Sequence, residues 1–138
     1  GDELLIQSPF FPIEMIASRG AGEALRAAVQ GPRYTSPSYG EATYVDASSI
    51  LAGDTLQVFL CNRNLVEAAE VEVKVADRAV AAFVSGEVLT GPGPKAANTY
   101  DRQDIVAPKA LAGVVVKDGV ASLSLPPLSV AALSLKLA

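Results

Sequence analysis

Val45-Asp46-Ala47-Ser48-Ser49-Ile50-Leu51 and Thr55-Leu56-Gln57-Val58-Phe59-Leu60-Cys61-Asn62-Arg63-Asn64 are two runs rich in β-branched and apolar residues, separated by Ala52-Gly53-Asp54. Glycine tolerates the positive φ of a tight reversal and aspartate bonds to nearby backbone, so the pattern predicts a hairpin. Successive side chains of a strand point to opposite faces. Leu56, Val58 and Leu60 therefore share one face, and Phe59 and Cys61 lie on the other. A strand that is apolar on both faces must be covered on both, which makes the second run a central strand.

On the N-terminal side of that hairpin, Glu3-Leu4-Leu5-Ile6-Gln7 is a short apolar run stopped by Ser8-Pro9 and is expected as a buried strand. Pro12 suits a first helical turn, and Ile13, Ile16 and Ala17 recur at helical spacing before Arg19-Gly20-Ala21-Gly22, so one short helix is expected over residues 11–18. Leu25, Ala27 and Val29 alternate with Ala24, Arg26, Ala28 and Gln30, which favours a strand over the helix that Ala and Arg would support. Residues 31–43 are rich in Pro, Ser, Gly and Tyr, lack a period, and read as a surface loop of about a dozen residues.

On the C-terminal side, Ala69, Val71, Val73 and Val75 alternate with Glu70, Glu72 and Lys74, the pattern of a half-buried strand. Residues 80–90 read as another strand with Gly86 as its expected bulge, and Gly91-Pro92-Gly93-Pro94 and residues 95–108 as irregular chain. Residues 114–125 turn around Lys117-Asp118-Gly119, Pro126-Pro127 breaks them, and Ala131, Leu133, Leu135 and Leu137 alternate to the end. Short strands with long turns and one short N-terminal helix define an all-β chain, an antiparallel β-sandwich.

Composition narrows the function. The 138 residues are half hydrophobic, enough for one domain with a sizeable core. The net charge of -4 and eleven scattered Lys and Arg leave nucleic acid and anionic membrane without an electrostatic footprint. No apolar run reaches the roughly 18 to 20 residues of a membrane span, and no signal peptide is visible, so the cytoplasm is the expected compartment. With no His and a single Cys, one chain cannot build a disulfide framework, a Cys/His zinc site or a His-based triad. No cofactor is expected, and Cys61 reads as a small core hydrophobe.

The motifs that resemble chemistry have plainer readings. Gly91-Pro92-Gly93-Pro94-Lys95 offers prolines, which lack an N–H, where a phosphate loop needs donors, and the Gly-Lys-Ser/Thr spacing is missing. Glu41 with Asp46, or Asp101 with Asp104, read as solvated loop charges rather than the paired carboxylates, roughly 5 to 9.5 Å apart, that cleave a glycosidic bond. No catalytic residue is assigned. A carbohydrate-binding face stacks sugar on rings, and there is no Trp. Tyr34, Tyr39 and Tyr100 are the candidate loop contacts, with Tyr packing at loop bases as the competing reading. Arg63 closes the central strand and is expected to pin a neighbouring loop through carbonyl or carboxylate hydrogen bonds.

Several ordered pieces carry a family resemblance: Gln7 through Gly20, Gly31-Pro32-Arg33-Tyr34-Thr35-Ser36-Pro37 through Tyr39-Gly40, Tyr44-Val45-Asp46-Ala47, Asn62-Arg63-Asn64, Leu89-Thr90-Gly91 with Lys95-Ala96-Ala97-Asn98-Thr99, Val106-Ala107-Pro108, and Leu125-Pro126-Pro127-Leu128-Ser129-Val130. In order and approximate spacing they resemble the C-terminus of α-L-arabinofuranosidases of glycoside hydrolase family 51. The resemblance implies a jelly-roll sandwich appended to a catalytic (β/α)8 barrel, in a retaining hydrolase whose two catalytic glutamates lie upstream and match no position here. It implies a non-catalytic accessory domain that docks on and stabilises the barrel or an oligomer; the alternative is a carbohydrate-binding module acting through its loops.

By the same resemblance, residues 1–21 look like the end of the barrel, a strand and the helix after it, and residues 22–138 like the sandwich. Ser8-Pro9 stands where the family usually has apolar and aromatic residues. Leu4, Leu5, Ile6, Phe10, Phe11, Ile13, Met15 and Ile16 then need a cover. Either they fold back onto the second face of the central strand, or they pair with a second copy; the expectation is a homo-oligomer through residues 3–16.

Overall fold

A computed structural model describes residues 2–138. The quoted runs form β4 (Val45–Ala52) and β5 (Thr55–Asn62), antiparallel with Ala52 opposite Thr55, so the reversal is the two residues Gly53 and Asp54. Gly53 takes φ 62°, which a two-residue hairpin turn requires and glycine adopts without strain.

Around this hairpin lie α1 (Phe10–Ala17), β1 (Glu23–Leu25), β2 (Arg33–Ser36), β3 (Gly40–Thr43), β6 (Ala69–Val73), β7 (Val80–Leu89), β8 (Lys109–Ala110), β9 (Val115–Lys117), β10 (Val120–Leu125) and β11 (Ser129–Leu137). One sheet runs β1-β4-β5-β11-β7-β8, a second runs β6-β10-β9, and β2-β3 stand as a separate pair. All pairings are antiparallel.

The two larger sheets close on one core. Leu56, Val58 and Leu60 of β5 and Leu133, Leu135 and Leu137 of β11 meet Ala121, Leu123 and Leu125 of β10, flanked by Val71 and Val73 of β6. The chain is an all-β sandwich of jelly-roll type. β5 is central as its pattern requires, and β11, which lies between β5 and β7, is buried along nearly its whole length.

The second face of β5 is covered from within the chain. Phe59 packs in a separate cluster with Met15 of α1, Leu89, Val106 and Ala132, joined by Phe11, Ile50, Ala96 and Ile105. Residues 10–17 have thus folded back onto the large sheet. Pro12 lies in the first turn, where an N–H would lack an intrahelical acceptor anyway. At the far end of α1, Arg19 Nη2 donates to Glu87 Oε2 of β7 at 2.8 Å, and its Nη1 donates to the carbonyl of Met15 at 3.1 Å, which fixes the helix across the sheet.

Four expectations are corrected. Residues 3–7 are irregular, not a strand: they find no neighbouring strand to bond, and their carbonyl at Ile6 instead accepts from Asn98 Nδ2 at 3.1 Å. The strand after Gly22 stops at Leu25, because residues 26–30 have no partner beyond the short edge with β4. Residues 31–43 are not a loop but the β2–β3 hairpin, in which Tyr34 and Thr35 supply strand-forming residues and Pro37-Ser38-Tyr39 the turn. Gly86 is not a bulge. It pairs in register with Leu133, whereas β7 skips a residue at Val84 and at Ala81 against β11. A Cβ on Gly86 would lie 3.1 Å from the Leu111 side chain, so packing rather than backbone irregularity accounts for the glycine.

Candidate functional site

Helix α1 is apolar nearly all round, with Glu14 its single charged residue. Met15 and Phe11, four apart, lie on one face and pack on the sheet. Phe10, Ile13 and Ile16, at threefold spacing, face out: Ile13 is 68% exposed and Phe10 51%. Leu4, in the irregular segment before the helix, is 77% exposed. A helix apolar all round is ordinarily buried all round, and here the sandwich covers the side of Met15 and Phe11 while Phe10, Ile13 and Ile16 stay exposed.

Beside this surface lies a groove of about 450 Å3. Pro9 and Pro12 at the start of α1 border it, with Gly91, Gly93 and Pro94 opposite and Cys61, Leu89, Val106 and Val130 among its apolar residues. Arg63 is the one charged residue of its lining. The polar side chains of the lining, Ser8 apart, already bond to the chain's own backbone. Thr90 Oγ1 donates to the carbonyls of Pro127 and Leu128, at 3.0 and 3.1 Å, and Ser129 Oγ to that of Pro126 at 2.7 Å. Asn62, 1% exposed, donates to the carbonyls of Glu67, Leu125 and Pro126 and accepts from the N–H of Asn64.

Arg63 performs the role its position implies. Its Nη2 donates to the carbonyl of Thr43 at 2.7 Å, its Nη1 lies 3.9 Å from Asp46 Oδ2, and its own N–H donates to the carbonyl of Tyr44 at 2.8 Å. It thereby ties the end of β5 to the base of the β2–β3 hairpin. Cys61 is half-buried; burial pushes its thiol up, opposed by Arg63 and reinforced by Asp46. A raised thiol is less reactive, in keeping with a packing role.

The tyrosines do not assemble into a platform. Tyr34 is half-buried and packs on Tyr44, ring centroids 4.9 Å apart, at the root of the hairpin. Tyr39 is 91% exposed at the hairpin turn, and Tyr100, also exposed, belongs to the irregular chain after β7. Among the described residues neither has a ring partner. Glu41 pairs with Arg33 and Asp104 with Arg102, both exposed, in place of the imagined carboxylate pairs. Sequence reasoning missed Asn62 and Asn98 as buried hubs. Asn98 Oδ1 accepts from the N–H of Val106 at 2.8 Å and its Nδ2 donates to the Val106 carbonyl at 2.8 Å. An asparagine in a Pro/Gly-rich stretch reads as a turn residue, and only the long-range contact to Ile6 separates the two roles.

Comparison with known proteins places this architecture. The model of the α-L-arabinofuranosidase C-terminal domain matches residues 1–129. The intracellular exo-α-(1→5)-L-arabinofuranosidase of Streptomyces lividans is 32% identical over 124 residues, which is 89% of this chain and 19% of that protein. The family 51 arabinofuranosidase of Xanthomonas axonopodis pv. citri superposes with TM-score 0.67 at 30% identity, over 78% of this chain and 22% of that one. The family 51 enzyme AbfB of Bifidobacterium longum shares the fold with TM-score 0.84 at 21% identity, over 94% of this chain and 26% of that one. This chain spans only about a fifth of the length of the first two, at 19% and 22%. By sequence over nearly its whole length and by fold, the chain belongs to the α-L-arabinofuranosidase C-terminal domain family.

Proposed function

We propose that this chain is a non-catalytic accessory domain that docks on the catalytic barrel of a retaining α-L-arabinofuranosidase and stabilises it. The observation that carries the reading is the double-sided apolar helix: Met15 and Phe11 bury against the sandwich while Phe10, Ile13 and Ile16, with Leu4, are left for a second body. In this reading residues 1–21 are the barrel-side element and residues 22–138 the sandwich that carries it. When no barrel is present the same face pairs with its copy, so the isolated chain forms a homo-oligomer through residues 3–16.

Hydrolysis needs one carboxyl group to protonate the leaving oxygen and another to attack the anomeric carbon. The acidic residues Glu41, Asp46 and Asp104 each face an exposed arginine on the surface. Purified chain should therefore leave an aryl arabinofuranoside uncleaved; turnover abolished by a single Glu or Asp substitution would contradict the reading. The exposed ring of Tyr39 favours one alternative, a carbohydrate-binding module using Tyr34, Tyr39 and Tyr100. Titration with arabinan followed by tyrosine fluorescence tests it, and saturable binding lost in Tyr39→Ala would establish it.

A further inference from the structure

Resting on the docking reading, we infer that the groove between the start of α1 and residues 91–96 receives apolar side chains from a segment of the catalytic domain itself, not a sugar. A sugar site converges free donors and acceptors on its ligand. Here Thr90, Ser129, Asn62 and Arg63 are each engaged with the chain's own carbonyls, and the remaining lining is dominated by proline, glycine and aliphatic residues. What such a surface recognises is apolar bulk that displaces water.

Two observations identify the occupant. The groove is continuous with the proposed docking face, since Pro9 and Pro12 border it while Phe10 and Ile13, on the same turns of chain, point outward. A body seated on Phe10 and Ile13 therefore lies next to the groove that Pro9 and Pro12 border. The polypeptide to fill it also exists in the relatives, because the matched region is 19% of the Streptomyces protein and is the C-terminal part, so most of that chain precedes it.

Cys61 lines the groove and is the only cysteine of the chain, so it reports occupancy. N-ethylmaleimide labelling of Cys61 is measured by mass spectrometry in the isolated chain, at concentrations where it sediments as a monomer, and in the longer polypeptide carrying the catalytic domain. Hydrogen exchange over residues 3–16 is followed in the same samples. The inference predicts labelling slowed about 100-fold in the longer polypeptide, the protection given by a partner present at about 100 times its Kd. Gly93→Phe provides a second arm: a Cβ at Gly93 meets nothing within 4 Å, so the ring should fill the groove mouth and restore exchange at residues 3–16 without lowering the melting temperature of the isolated chain.

Residues 3–16 protected while Cys61 labels at the isolated-chain rate would overturn the groove inference and leave docking intact. Residues 3–16 as open in the longer polypeptide as in the isolated chain would overturn docking and the groove together. Slowed Cys61 labelling of the isolated chain on adding arabino-oligosaccharide would assign the groove to sugar and overturn the inference.

Discussion

Asn62, Arg63 and Asn98 show how single polar side chains hold together a molecule whose core is mostly apolar. Asn62 sits at the end of β5 where residues 65–67 and the end of β10 converge, and its amide bonds the backbone of both. Asn62→Ala would leave those buried groups without partners, and a loss of about 1 to 3 kcal/mol in urea unfolding is expected. Arg63→Ala removes a charged hydrogen bond to Thr43, but a side chain 40% exposed is partly screened by water, so about 1 kcal/mol is expected. Its signature is local: exchange of amides in residues 33–43 should rise more than in β11. Asp54 binds Lys136 across the hairpin end, and that hydrogen bond, with a smaller opposing cost of burial, lowers its carboxyl pKa below the ordinary 3.8. A group with a depressed folded pKa stabilises above its unfolded value and loses that contribution as pH falls through the folded one. The melting temperature of the native chain should therefore exceed that of Lys136→Met slightly at neutral pH and converge on it below pH 3.8; a constant gap into acid would contradict the linkage. Both side chains are about half exposed, so the effect is small.

β6 and β10, which alternate with a period of two, and β5 and β11, buried on both faces, follow directly from their sequences, as does the helix, because burial on one or both faces selects their side chains. What escaped such reading depends on partners rather than on pattern. Residues 3–7 carry the apolar run of a strand, but a strand exists only where a neighbour offers N–H and C=O groups, and no strand among the described residues pairs with them. The β2–β3 hairpin hides behind the composition of a loop because none of its strand residues is fully buried. It touches the rest of the chain mainly through Tyr34 on Tyr44, the Arg63 clamp and the bond from Tyr44 N–H to the Pro32 carbonyl. β1 is tied down by Gly22, which takes φ 142° with its Cα so close to β4 that a Cβ would lie 2.4 Å from the Leu51 carbonyl oxygen. Gly22→Ala should detach β1 from β4, seen as loss of exchange protection at residues 23–25 and 49–51 with β5 and β11 unaffected; unchanged protection would contradict the steric account.

Among the described residues the sandwich is closed on its inner core, and the outer side of α1 is left uncovered. The apolar character of residues 4–16 was readable from the sequence, and so was the need for a cover; which half would be covered was not, because a helix apolar all round does not say which side meets its own sheet. Met15 is the inward anchor, and Met15→Ala should cost about 2 to 5 kcal/mol in the isolated chain by opening a cavity against Phe59 and Leu89. Ile13 is the outward one. The most direct test of its role is the melting temperature of Ile13→Glu in two settings, this chain alone at monomeric concentration and a longer polypeptide in which a family catalytic barrel precedes it, beside the control Val84→Glu at an exposed position of β7. Docking predicts that Ile13→Glu leaves the isolated chain unchanged and destabilises the longer polypeptide by about 2 kcal/mol or more, as the loss of a buried interface anchor does, while Val84→Glu is silent in both. Equal melting temperatures for native and Ile13→Glu forms of the longer polypeptide would contradict it.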